Sequence, residues 1–169
     1  MVTLRVEPLT PDAFAPYGKV IGRPQRPGDA AGSGWRWWAE TALLAGDGRP
    51  WGVGWLELEP TASRFDWAER HMRTLEAMVA TSGDVLVYVG PADHPDEPSR
   101  LPPFEAFRMF RVPSGSGVIM DRGVWHGAPF SAGAPTSAVV FLQEGTGRHD
   151  VTLVRFSETP VQFEEAAAR

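Results

Sequence analysis

Glycine and proline punctuate this chain so densely that only short elements fit between them. Eighteen Gly and sixteen Pro stand among 169 residues. Gly weakens a helix or strand interior through its backbone entropy, and Pro through its missing N–H. The runs between these breaks are short and carry Val, Ile, Trp and Phe in alternation. About ten short strands and at most two short helices follow, the signature of an all-β barrel or sandwich. The length suits one domain, residues 1–169, able to bury most of its apolar surface.

Taken in order, Thr3–Glu7 alternates as a strand. Thr10-Pro11-Asp12-Ala13-Phe14-Ala15 reads as a short helix, with Thr10 as N-cap and Pro11 at the first helical position. Tyr17–Ile21 returns as a strand. Trp35–Leu44 is strand-like at its Trp end and helix-like at its Ala-Leu end. Trp51, Val53 and Trp55 alternate again, and Phe65–His71, Arg73–Ala80 and Asp84–Val89 follow as strands. Asp84–Val89 is apolar enough to lie centrally. Phe104–Val112 has β-forming residues, although Phe104, Phe107 and Phe110 also fit helical spacing. Val118–Met120, Val124–Ala128, Ser137–Gln143 and Val151–Phe156 complete the set. Mobile loops are expected near 22–34 and 91–103, the second holding a solvated His94. Gly145–His149 reads as a loop, and Glu164–Arg169 as a short helix or a frayed end.

Two stretches carry the chemistry. The first is Glu69-Arg70-His71, then Glu76, then Gly83. The second is Gly117, then Gly123-Val124-Trp125-His126. Their order and spacing resemble the two motifs of the cupin barrel, in which a His-x-His pair is followed by Glu and Gly, and later by Pro-x-Gly and His. Here Glu69 stands at the first His position and Asp121 at the Pro position. The resemblance implies a single-domain cupin-type β-barrel with metal ligands at Glu69, His71, Glu76 and His126. Physical chemistry agrees with that set. Residues 69 and 71 are two apart, so on a strand they share a face. Two imidazoles and two carboxylates make a mixed N/O site suited to a divalent metal such as Mn, Fe, Ni or Zn.

Within the cupins, the chain resembles the ureidoglycolate lyase family over most of its length. Leu9-Thr10-Pro11-Asp12-Ala13-Phe14-Ala15-Pro16-Tyr17-Gly18-Lys19-Val20-Ile21 is similar to that family's opening stretch. Glu69-Arg70-His71, Gly83-Asp84-Val85 and Val124-Trp125-His126 match later blocks in order. The resemblance implies cleavage of ureidoglycolate to glyoxylate and urea in allantoin and purine breakdown, and a homodimer. It departs at Gly127, where family members often carry a second His, at Met120-Asp121, and at Ser33-Gly34-Trp35-Arg36-Trp37-Trp38. These departures are expected to alter substrate contacts. They leave open a bulkier substrate on the same barrel, or a cupin that only binds a small acid.

The reaction implied needs paired base and acid work, for which Glu69, Glu76, His71 and His126 are the candidates. Arg70, Arg73 and Arg122 are candidate clamps for a substrate carboxylate. Trp37 and Trp125 are candidate pocket walls. Five of the seven Trp fall between Trp35 and Trp55, more than one small barrel interior needs, which is a further reason to expect a homodimer. Net charge is −5 with no basic cluster, so neither nucleic acid nor an anionic membrane is an expected partner. The chain has no Cys, hence no disulfide and no thiolate ligand. Met1-Val2-Thr3-Leu4-Arg5 has no apolar signal core, and a cytoplasmic location is expected.

Overall fold

Alternation along one strand sets the architecture. Every residue of Val85–Gly90 is buried. Val85, Val87 and Val89 enter one apolar cluster, whereas Leu86 and Tyr88 enter another. Successive strand side chains point to opposite faces, so this strand is covered on both sides. The computed structural model describes residues 2–165 and shows what covers it.

The strand pairs with Arg108–Val112 on one edge, and with Trp125–His126 and Phe130–Ser131 on the other. From Arg108–Val112 the sheet continues through Thr3–Pro8 and Val161–Glu164 to Arg64–Phe65. From Trp125–His126 it continues through Trp67–Arg70 to Thr152–Arg155. A second, fully antiparallel sheet runs Gly18–Ile21, Gly117–Met120, Glu76–Ala80, Thr136–Gln143, Trp51–Leu58. The two curled sheets face each other as a cupin-type β-barrel, and only two short α-helices accompany them among the described residues.

Three apolar layers result. Phe14, Met78, Val87, Phe110, Val118 and Met120 fill the space between the sheets. Leu4, Phe65, Tyr88, Phe107, Met109 and Trp125 cover the outer face of the larger sheet, with Phe65 stacked 3.9 Å from Tyr88. Ala77 and Ile119 lie on the outer face of the smaller sheet, under Ala42, Leu44 and Trp51. Each fully buried large apolar side chain contributes about 1.5–3 kcal/mol. Phe107 and Phe110 fall in different layers, which a helix presenting both on one face would not allow. Residues Phe104–Ala106 accordingly form only a 3-10 turn before the strand Arg108–Val112.

The N-terminal helix forms as its sequence dictates. Pro11 opens it, and the Thr10 hydroxyl accepts the Ala13 N–H at 3.2 Å. Other segments differ from expectation. Ala30–Gly32 and Trp35–Trp37 pair as a hairpin outside both sheets, and no helix forms over Ala39–Leu44. The strand expected from Arg73 begins only at Glu76. Thr146–His149, expected as a loop, winds into one helical turn after Gly145, whose φ is +82°. The expected terminal helix or frayed end lies mostly outside the described residues, and Val161–Glu164 is a strand. No helix among the described residues is long and apolar enough to cross a membrane.

Arg70 ties the outer layer together. It is fully buried. Its guanidinium donates to the carbonyl oxygens of Asp93, His94, Glu97 and Pro98 at 2.7–3.0 Å and lies 4.6 Å from the Trp125 ring. The connection 91–103 is thus wrapped around one cation. Arg70→Leu strips four carbonyls of their donor, and the expected loss is about 3 kcal/mol. Thermal unfolding should show it, together with faster proteolysis within 93–98. A variant as stable as the parent would contradict this role for Arg70.

Candidate active site

The reactive residues face inward because of their parity. Ala68 belongs to the outer layer, so Glu69 turns into the barrel. Trp125 is in the outer layer, so His126 turns inward, opposite both Glu69 and Val89. Met78 and Ala80 lie in the inner layer, so Glu76 on the same strand points inward as well. His71 lies one residue past the strand Trp67–Arg70 and shares the face of Glu69. The turn before His126 is locked to His71, because the Gly123 N–H donates to the His71 carbonyl at 2.7 Å. Gly123 sits at φ +79°, where any β-carbon is strained.

Each histidine has one ring nitrogen committed to the backbone. His71 Nδ1 lies 2.7 Å from the Asp150 carbonyl oxygen, and His126 Nδ1 lies 2.9 Å from that of Val124. A carbonyl only accepts, so both Nδ1 atoms carry the hydrogen. In the neutral rings both Nε2 atoms therefore present lone pairs. Those atoms face the same oxygen: Glu76 Oε2 is 3.2 Å from His71 Nε2 and 3.3 Å from His126 Nε2. Two lone pairs aimed at a carboxylate repel unless a cation stands among them, either a proton on an imidazole or a metal.

Burial sharpens that requirement. His126 is buried, and its Nε2 has no well-formed hydrogen bond. Burial works against charge on His126, but the Glu76 carboxylate overrides it and raises the imidazole above its ordinary value. Burial likewise opposes ionisation of Glu76. His126, and then His71, outweigh it and hold the carboxyl down at about 2. Glu69 completes the group: one ligand atom each from Glu69, His71 and His126 lie within 4.8 Å of one another. A buried Nε2 that makes no hydrogen bond fits a divalent cation: Glu69, His71 and His126 could hold it, with Glu76 Oε2 beside both Nε2 atoms.

Glu69, His71, Glu76 and His126 are thus brought together. The other candidates are not. Arg70 and Trp125 point into the outer layer, on the opposite face of their strands from Glu69 and His126. Arg73 and Arg122 are exposed, in the loop after His71 and in the turn before the strand of His126. Trp37 is 59% exposed on the hairpin. Gly127 was expected to alter substrate contacts, and the structure corrects this. A β-carbon at Gly127 would overlap the Tyr88 hydroxyl, so this position faces the outer layer and not the cluster. The contribution of Asp150 was not foreseen. It lies 79 positions from His71, and no local pattern marks it.

The sequence model described as Ureidoglycolate lyase matches residues 1–164. The chain is similar to a ureidoglycolate lyase of Rhodobacter capsulatus, 30% identical over 152 residues, covering 87% of this chain and 90% of that one. It is also similar to a ureidoglycolate lyase of Burkholderia mallei, 32% identical over 157 residues, covering 88% and 87% respectively.

The shifted groups predict a pH optimum for stability without added metal. His126 is raised above 6.5, so its contribution is complete below pH 6.5 and lost as pH rises through the folded value. Glu76 falls from 4.5 to about 2, so its contribution is complete above pH 4.5 and lost as pH falls toward 2. Thermal midpoints of metal-free protein should be highest between pH 4.5 and 6.5 and decline above that range. Glu76→Gln should flatten the decline. An undiminished midpoint at about pH 8.5 in the parent would contradict the paired charges.

Proposed function

The chain belongs to the ureidoglycolate lyase family and is an enzyme of the lyase class, and from that premise we propose that its inward cluster cleaves ureidoglycolate to glyoxylate and urea. The reaction belongs to allantoin breakdown within purine catabolism. The observation that carries this reading is the convergence of Glu69, His71, Glu76 and His126 inside a chain matched over nearly its whole length.

These four residues would hold a divalent metal, Mn, Fe, Ni or Zn; the buried His126 Nε2, which makes no hydrogen bond, supports this. A metal bound there would supply Lewis acidity toward the substrate. Glu76, ionised down to about pH 2, has little proton affinity near neutrality and serves as a fixed negative charge. Glu69 is left as the base, through the carboxylate oxygen that a metal would not occupy. It takes the hydroxyl proton, the O–H electron pair becomes the new carbonyl bond, and the C–N pair departs on nitrogen. Glu69 then returns the proton to that nitrogen, releasing urea. Arg73 and Arg122 remain available for the substrate carboxylate. Arg70 does not, because its donors are committed to the outer loop.

The bulkier-substrate reading drew on the early Trp residues, but Trp35 and Trp37 stand on an exposed hairpin. They suit a protein partner better. Trp35, Trp37, Val53 and Trp55 are 54–69% exposed, and Val53 and Trp55 lie on Trp51–Leu58 at the end of its sheet. These exposed apolar residues support a homodimer, which we place in the cytoplasm. A monomer by light scattering at micromolar concentration would contradict the dimer.

Racemic ureidoglycolate should yield urea and glyoxylate at a rate on the order of 1 per second or faster. Chelation should abolish the rate, and one of the four metals should restore it. Glu69→Gln should lower kcat by roughly 100-fold or more. Trp37→Ala should leave turnover unchanged. Absence of urea release with every one of the four metals would overturn the assignment.

A further inference from the structure

We infer that Asp150 is a positioning residue for His71 and for the loop that joins His71 to Glu76. The side chain and main chain of this one residue do separate jobs. Its carboxylate accepts three consecutive amides: Oδ1 takes the Met72 N–H at 3.0 Å, and Oδ2 takes those of Arg73 at 2.8 Å and Thr74 at 3.1 Å. Its carbonyl oxygen accepts the His71 Nδ1–H at 2.7 Å. Successive backbone N–H groups converging on one anion form a concave site, and the ionised acceptor strengthens each bond.

The linkage reaches both ends of the loop. His71 precedes it, and Glu76 begins the strand that follows it. No other side-chain acceptor takes the three loop amides among the described residues. Asp150 is itself held in place, because it closes the helical turn Thr146–His149 by donating its own N–H to the Thr146 carbonyl at 2.9 Å. That turn leads into Thr152–Arg155, which pairs with Trp67–Arg70, the strand of Glu69. Asp150 thus transmits the position of one strand to the ring at the end of its neighbour. It meets His71 on the Nδ1 side, away from the Nε2 that faces Glu76, and it acts through the His71 tautomer and the loop path.

Its effect on turnover rests on the lyase reading above; its effect on the ring does not. The experiment is ¹⁵N-histidine spectroscopy at about pH 8 on purified, chelator-treated protein, followed by Zn²⁺ titration and turnover. The parent should show His71 with hydrogen on Nδ1. Asp150→Ala keeps the carbonyl that meets His71 Nδ1 but releases the three loop amides that hold the ring against it, so it should show a tautomer mixture for His71 while His126 keeps its Nδ1 hydrogen. Zn²⁺ affinity should fall roughly 10–100-fold, and kcat should drop with little change in KM. If Asp150→Ala does not fold, Asp150→Asn keeps one acceptor oxygen and should give a smaller change in the same signal. The ring signal decides the matter: a His71 spectrum in the folded variant indistinguishable from the parent overturns the proposal. A parent that releases no urea would instead remove the lyase reading and leave the ring result standing.

Discussion

Two hydrogen bonds from imidazole to backbone carbonyl govern the site. By holding hydrogen on Nδ1 of His71 and of His126, they turn both Nε2 lone pairs toward Glu76. A carboxylate and two lone pairs in a low-dielectric interior repel one another strongly. The arrangement persists only if a positive charge joins them. That one constraint explains why Glu76 stays ionised despite burial, why His126 favours its charged form despite burial, and why the site is built to receive a cation.

Strand parity lets the barrel maintain that constraint cheaply. Glu69 and Arg70 are neighbours in sequence and occupy opposite faces, as do Trp125 and His126. The inward member of each pair does chemistry. The outward member packs, with the Arg70 guanidinium over the Trp125 ring and the connection 91–103 gathered around it. The tripeptides Glu-Arg-His and Val-Trp-His are therefore composite: their outer residues serve the site, or the turn leading to it, while Arg70 and Trp125 clamp the strands from behind. Gly127 belongs to the same outer face, where it leaves room for the Tyr88 hydroxyl to reach the Trp67 carbonyl at 2.8 Å.

Local periodicity made much of this legible. Glu69 and His71 lie two apart, Val85–Gly90 is uniformly apolar, and Thr10-Pro11 is a clear helix start; all three belong to short-range geometry. Long-range partners were not legible. The amino acids alone allow Arg70 to be a substrate clamp, and only the fold shows its donors spent on carbonyls 23 to 28 residues away. Asp150 follows a polar stretch that reads as a loop, and its role depends on a turn of helix started by Gly145 in the left-handed region. The Trp35–Trp37 segment reads as a possible pocket wall because a large apolar residue usually signals burial, whereas here it lies on the surface.

Anomalous diffraction from crystals grown with Mn²⁺ or Zn²⁺ tests most directly whether the converging lone pairs are a cation site. A single strong peak within bonding distance, roughly 2.0–2.3 Å, of both Nε2 atoms and a carboxylate oxygen is the predicted result. Ordered His71 and His126 rings with no peak between them, at saturating metal and neutral pH, would contradict it.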